Sequence, residues 1–153
     1  KNKTKTSLGS NLKKLHSISS SKLPLSLYES RVSAGFPSPA DDYVDSPLDL
    51  NEYLIHHPAA TFFVRASGNS MINAGINNND ILVVDRSLEP THGSIVIAAL
   101  NGELTVKRLS VEGQRVTLKP ENPDYPPISV TEEMDFHIWG VVTSVVHEFN
   151  GLS

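Results

Sequence analysis

The chain has 153 residues, 39% of them apolar, with no cysteine and a formal charge of −4. That length suits one domain with a core of useful size, and the lack of cysteine excludes disulfides and thiol catalysis. No apolar run is long enough for a membrane span or a secretory signal, so a cytoplasmic protein is the expectation.

Charge is shared unevenly along the chain. Residues 1–28 hold six lysines and no acidic residue, whereas the remainder has seven basic residues against seventeen acidic ones. The start is also rich in serine (Ser17, Ser19, Ser20, Ser21) and poor in apolar periodicity, the composition of a flexible segment. Residues 1–33 therefore read as a basic, flexible arm and residues 34–153 as the folded domain. An acidic body repels phosphates and no helix-turn-helix pattern is present, so direct DNA binding is not expected.

The first element in chain order is a helix. Ser46 offers an N-cap, Pro47 a first helical residue and Asp49 an acidic first turn, which predicts a short helix from about Pro47 to His56, stopped by Pro58. Thereafter the pattern is of strands. Thr61 to Ser67, Ile81 to Asp85, Ser94 to Leu100, Glu103 to Leu109, Arg115 to Lys119 and Phe136 to Phe149 are rich in β-branched and aromatic residues, so the fold class is mainly β. Asn101-Gly102 between two such runs predicts a type I′ hairpin, because both residues tolerate positive φ. Gly140 interrupts the last run and predicts a bulge or bend. Phe136 and Trp139 alternate poorly with their neighbours and suit a core or an interface.

Two residues carry the chemistry. Ser70 follows Ala66-Ser67-Gly68-Asn69, and Lys107 lies on the return strand of the hairpin, alternating with Thr105 and Leu109. Serine is a weak nucleophile until a base takes its proton, and an ordinary lysine, with a pKa of ~10.4, is protonated at neutral pH. Burial strips that charge, so a lysine pointing into an apolar site becomes a base. On spacing alone, a surface serine and a solvated lysine are the commoner reading; the flanking residues change the balance. Ser70 to Ala74 reads as a short helical turn closed by Gly75. The backbone N–H groups of Asn69 and Ser70 at its start then make a candidate oxyanion hole, with simple helix capping as the alternative. The upstream Ala34-Gly35 bond is a candidate substrate: alanine enters a narrow pocket and glycine permits a turn that other residues resist.

Other constellations are weaker. His56, His57, His92, His137 and His147 could suggest zinc, but adjacent histidines on a helix diverge by about 100° and no cysteine completes a site. A Ser70, His92, Asp85 triad is conceivable, although His92-Gly93 reads as turn chemistry. No phosphate loop or dinucleotide fingerprint is present, and no metal or cofactor is required.

The stretches Arg65 to Ile76 (RASGNSMINAGI), Asn79 to Asp85 (NDILVVD), His92 to Ala99 (HGSIVIAA) and Glu103 to Leu109 (ELTVKRL) resemble the LexA and UmuD self-cleaving serine peptidase family. Ala34 to Tyr43 (AGFPSPADDY), with Leu48 to Ile55 (LDLNEYLI) and His57-Pro58, resembles the UmuD branch in particular, and the likeness runs from about Ser33 to His147. The resemblance implies coiled β-sheets with a barrel-like element, as in LexA and signal peptidases. It implies Ser70 as nucleophile, Lys107 as general base, Asn69 and Ser70 N–H groups as oxyanion hole, and Ala34-Gly35 as the bond cut. Its further implications are a homodimer, activation of cleavage by a RecA filament on single-stranded DNA, and a UmuC-type polymerase as partner of the processed form. The sequence departs from the UmuD pattern upstream, where the bond is Ala-Gly rather than Cys-Gly and the arm is longer. Two other readings stay open. One is the C-terminal cleavage and dimerisation half of a LexA-like repressor, and the other an interaction module with an inactive site.

Overall fold

The computed structural model describes residues 21–39 and 44–150. They fall into two compact units that divide between Tyr53 and Leu54. In the first, strand β1 (Leu25–Tyr28) pairs antiparallel with β2 (Asp45–Leu48), setting Leu25 opposite Leu48 and Tyr28 opposite Asp45. The Glu29 N–H extends this ribbon by donating to the Val44 carbonyl at 2.9 Å. Helix α1 (Leu50–Leu54) follows.

The expected helix from Pro47 to His56 is thus shortened at both ends, for a local reason. Asp49 rather than Ser46 makes the cap: its Oδ1 accepts the Asn51 N–H at 3.0 Å, and its carbonyl accepts the Tyr53 N–H at 2.9 Å. Aspartate and serine cap about equally well, so pairing with β1 decides the outcome by drawing Asp45 to Leu48 into a strand. Pro47 is tolerated opposite Ser26 because a two-stranded ribbon leaves one side of every strand unpaired. Asp49 also accepts the Leu23 N–H through Oδ2 at 2.8 Å, and that bond is the main reason its carboxyl titrates below the usual range. Strand β1 lies inside the stretch that composition assigns to a flexible arm. Leucine alternating with serine in Leu25 to Leu27 is the strand signal there; residues 1–20 lie outside the described residues.

The second unit is one antiparallel sheet of seven strands. These are β3 (Thr61–Arg65), β4 (Ile81–Asp85), β5 (Ile95–Leu100), β6 (Glu103–Glu112), β7 (Arg115–Lys119), β8 (Ile128–Val130) and β9 (Phe136–Val146). They lie in the order β3-β4-β9-β5-β6-β7-β8, so β3 and β8 are edges and the sheet is open, with no closed barrel among the described residues. Alternation along β5 feeds two apolar clusters. Ile97 joins Ala66, Met71, Ile76, Leu82 and Val84, whereas its neighbours Val96 and Ala98 join Leu109 and Leu118.

Several details follow from the residues at the turns. Asn101 and Gly102 take φ of 50° and 81°, both positive as a type I′ turn requires, and join β5 to β6. Between Ile97↔Gly140 and Ala98↔Ile138 the β5–β9 register shifts, leaving Trp139 as the extra residue of a bulge. Gly140 itself is required by close approach, since a Cβ there would lie 2.6 Å from Val84 Cγ1. Trp139 is half-exposed, edge-on to Phe62 at 6.5 Å and beneath the Arg86 guanidinium at 5.8 Å, while Phe136 packs on the second cluster. Strand β6 runs past the expected Leu109 because β7 pairs with its far end, Glu112 opposite Arg115, and β9 stops at Val146 rather than Phe149. The short strand β8 was hidden in the sequence by Pro126-Pro127 before it.

Candidate active site

Ser70 lies on the long connection from β3 to β4, and three kinds of contact hold that connection in shape. At its base Ala66 N–H donates to Asp80 O (2.8 Å) and Asn79 N–H to Ala66 O (2.9 Å). Side chains stitch its sides: Asn78 Oδ1 accepts the Gly68 N–H at 2.8 Å, and the buried Asp80 accepts the Asn77 N–H at 2.7 Å and pairs with His147. Met71, only 2% exposed, plugs into the first core cluster directly after Ser70. The expected helical turn begins later than Ser70, as a 3-10 turn over Ile72–Ala74, closed as expected by Gly75 with φ of 87°. Met71 burial explains the delay: its φ of −124° and ψ of 20° are not helical.

Lys107 comes from the middle of β6, opposite Val96. It is 8% exposed, and its Nζ donates to Thr105 Oγ1 at 2.8 Å, to Ser70 Oγ at 3.1 Å and to the Val106 carbonyl at 3.1 Å. All three partners are neutral, so nothing offsets burial, which pushes the ammonium below the ordinary lysine pKa. As an ammonium, Nζ has a hydrogen for each partner. As a neutral amine it has two hydrogens and one lone pair; with Thr105 and Val106 taking the hydrogens, the lone pair faces the Ser70 hydroxyl. The structure therefore brings together the two residues that the sequence singles out, along with Thr105, which alternation had put on the same strand face. Beside them is a cleft of about 230 Å³ lined by Val64, Ala66, Leu82, Ile97, Leu104 and Val106, among others.

A second loop braces the first, and nothing in the sequence reading pointed to it. The Glu121 N–H donates to the Ser70 carbonyl at 2.8 Å, the Glu121 carbonyl accepts from Asn73 N–H at 2.9 Å, and Asn122 Nδ2 donates to the Asn69 carbonyl at 2.8 Å. Arg108, next to Lys107, grips the Glu121 carboxylate with Nε and the Gly93 carbonyl with Nη1 at 2.6 Å. With their carbonyls engaged, the N–H groups of Asn69 and Ser70 have no acceptor among the described residues.

The remaining candidates fall elsewhere. Ala34 and Gly35 are exposed in a bend, where the Gly35 N–H donates to Ser33 Oγ at 3.3 Å and that hydroxyl donates to the Phe36 carbonyl. The conceivable triad does not assemble. Asp85 pairs with His57 at 2.6 Å and accepts from the Ser87 hydroxyl at 2.6 Å, while His92 Nδ1 accepts the Val111 N–H at 3.0 Å. The Ser87 hydroxyl, followed by His57, holds the Asp85 carboxyl down at about 2. Among the described residues no three histidine, aspartate or glutamate side chains converge to hold a metal, and no helix is long and apolar enough to cross a membrane.

Residues 26–143 match the family described as Peptidase S24-like, and the chain belongs to that family of serine peptidase fold with self-cleavage. It is 53% identical over 121 residues to protein ImpA of Salmonella typhimurium, covering 79% of this chain and 82% of that one. To protein MucA of Escherichia coli it is 50% identical over 117 residues, covering 76% and 80%. A LexA repressor of Acidithiobacillus ferrooxidans is 43% identical over 119 residues, with 58% of its length spanned. Such relatives make this a UmuD-type member of the LexA/UmuD family, among the UmuD-like SOS mutagenesis proteins.

Proposed function

We propose that the chain is a latent peptidase that cuts its own Ala34-Gly35 bond with a Ser70-Lys107 dyad. The observation that carries this reading is the 3.1 Å contact between Lys107 Nζ and Ser70 Oγ, in a buried setting with only neutral partners. Ser70 Oγ attacks the Ala34 carbonyl carbon while neutral Lys107 takes the hydroxyl proton. The oxyanion that forms receives the Ser70 and Asn69 N–H groups, the kind of donor whose loss costs about 2.7 to 4 kcal/mol. Collapse of the tetrahedral intermediate breaks the bond to nitrogen, and Lys107 returns the proton to the leaving Gly35 amine. Water then attacks the Ser70 ester by the same route in reverse, and Ala34 leaves as a carboxylate.

Family likeness supports the setting of this reaction: a RecA filament on single-stranded DNA as activator, a homodimer as the processed form, and a UmuC-type polymerase subunit as its partner in error-prone synthesis. A filament can activate only by binding the cleavable arrangement more tightly than the resting one. The LexA-like repressor alternative is less favoured, since identity is higher and coverage more complete with ImpA and MucA. Incubating the full chain with RecA, single-stranded DNA and a nucleotide, followed by intact mass measurement, tests the proposal. Two fragments that meet at Ala34-Gly35, absent from Ser70→Ala, are expected; no cut, or the same cut in Ser70→Ala, would refute it.

A further inference from the structure

We infer that Asn122 is a positioning residue for the oxyanion hole: its side-chain amide aims the Ser70 N–H and sharpens it as a donor. The inference rests on the reading of Ser70 as nucleophile. It starts from a buried polar side chain that the dyad does not use. Asn122 is 8% exposed, in a loop flanked by Pro120 and Pro123, and both ends of its amide are engaged. Oδ1 accepts the Asp124 N–H at 3.0 Å. A backbone N–H can only donate, so that contact identifies the oxygen and leaves Nδ2 as the group facing the Asn69 carbonyl at 2.8 Å.

A trans peptide is planar, with its C=O and N–H pointing in opposite directions. Holding the Asn69 oxygen therefore fixes the direction of the Ser70 N–H, which belongs to the same peptide. The Ile72 N–H also reaches the Asn69 oxygen, but at 3.4 Å, outside the usual range for such bonds. Asn122 is thus the main grip. The bond acts electronically as well. A donor on a carbonyl oxygen polarises its peptide, so the N–H at the other end donates more strongly, by about 10–30% per bond. That gain is largest when negative charge develops on the attacked carbonyl, so it favours the transition state over the bound substrate. The next peptide is held in the same way, with the Glu121 N–H on the Ser70 carbonyl at 2.8 Å. Glu121 is in turn tied to Arg108, the neighbour of Lys107 on β6. One short stretch of chain therefore sets the backbone of the nucleophile from the strand that carries the base.

The test uses the full chain and three variants. Asn122→Asp keeps the size and the bond to Asp124 but replaces the donor with an acceptor, and Asn122→Ala removes both. Leu118→Ala, in the second core cluster, serves as a control for lost stability alone. Cleavage at Ala34-Gly35 is followed across pH, and the Ser70 backbone amide is followed by NMR in the folded proteins. Both Asn122 variants should cut about ten- to a hundredfold more slowly than the parent, below the roughly 10² to 10³ for outright loss of a donor. In Asn122→Ala the pH midpoint should stay in place, because no charge near Lys107 changes, and in both variants the Ser70 amide nitrogen resonance should move. Cleavage within twofold of the parent, or a loss matched by Leu118→Ala with an unmoved Ser70 resonance, would reduce Asn122 to a loop staple. Failure of the peptidase reading looks different: the parent would yield no Ser70-dependent fragments, which would remove both claims.

Discussion

The β1–β2 ribbon and the seven-stranded sheet are built to different standards of rigidity. In the sheet unit the core residues Leu82, Val84, Val96, Ala98 and Leu118 are at most 1% exposed, and the loop bearing Ser70 is braced from both sides. The ribbon has four residue pairs between its two strands and no fully buried residue, with Leu25 and Tyr28 both more than 60% exposed. A two-stranded ribbon is marginal by itself in water, and segments that must move come from the low-stability end of a protein. The teaching is a division of labour. The groups assigned to catalysis are fixed in place, while the bond assigned as substrate lies in an exposed bend after the first of two weakly held strands.

The dyad gives the sharpest way to break this picture. Ser70→Ala and Lys107→Ala should each reduce cleavage by 10³-fold or more while the protein stays folded, since loss of a general base alone costs typically 10² to 10⁴. Lys107→Arg should be equally inactive, because guanidinium stays charged at every pH at which the protein remains folded and so cannot act as a base. Fragment masses report the outcome, and cutting by any of the three would dissolve the assignment.

Stability should divide along the same line. Leu118→Ala removes a fully buried side chain and should cost about 2–5 kcal/mol in denaturant unfolding, whereas Leu25→Ala should stay within about 0.5 kcal/mol. Comparable losses at both positions would erase the contrast.

Lys107 provides a prediction whose sign is set by burial. Its folded pKa lies below the unfolded value, so between the two the unfolded state binds more protons and stability rises with pH. The penalty is complete below the folded pKa and fades as pH approaches ~10.4. Lys107→Met should therefore melt higher than the parent at pH 7, by about 2–4 °C for each kcal/mol recovered, and the gap should narrow toward pH 10. Melting curves at several pH values decide it. Thr105→Val should have a smaller effect. Without the Thr105 oxygen the ammonium loses a partner, so the midpoint of the pH–rate curve should fall and its plateau drop modestly. An unmoved midpoint would mean that Thr105 only fills space.

What the sequence revealed divides by the range of the contacts involved. The β-branched runs, the Asn101-Gly102 turn and the Gly140 bulge are local or nearly so, and each reads directly from residue type. Ser70 and Lys107 were legible because their flanking motifs are dense, and Thr105 because strand alternation puts it beside Lys107. Asn122 was not legible. Its partner Asn69 is 53 residues away, and no local pattern marks an asparagine that will hold a distant carbonyl. Its one signal was the pair of prolines that stiffen its loop. The helix boundary is hidden for a related reason: Ser46 and Asp49 are equivalent caps locally, and only pairing with a strand some twenty residues upstream separates them. That strand was obscured by the lysine and serine content around it.

The most direct test of the central claim is the titration of Lys107 by NMR of its side-chain Cε in the full-length Ser70→Ala chain, set beside the pH–rate curve of the parent. Burial among neutral partners predicts a midpoint below the ordinary lysine value of 10.5. It also predicts that parent cleavage accelerates from neutral to alkaline pH along the same curve. A Lys107 that titrates at or above 10.5, or a cleavage rate flat from pH 7 to 10 in the folded protein, would contradict the account.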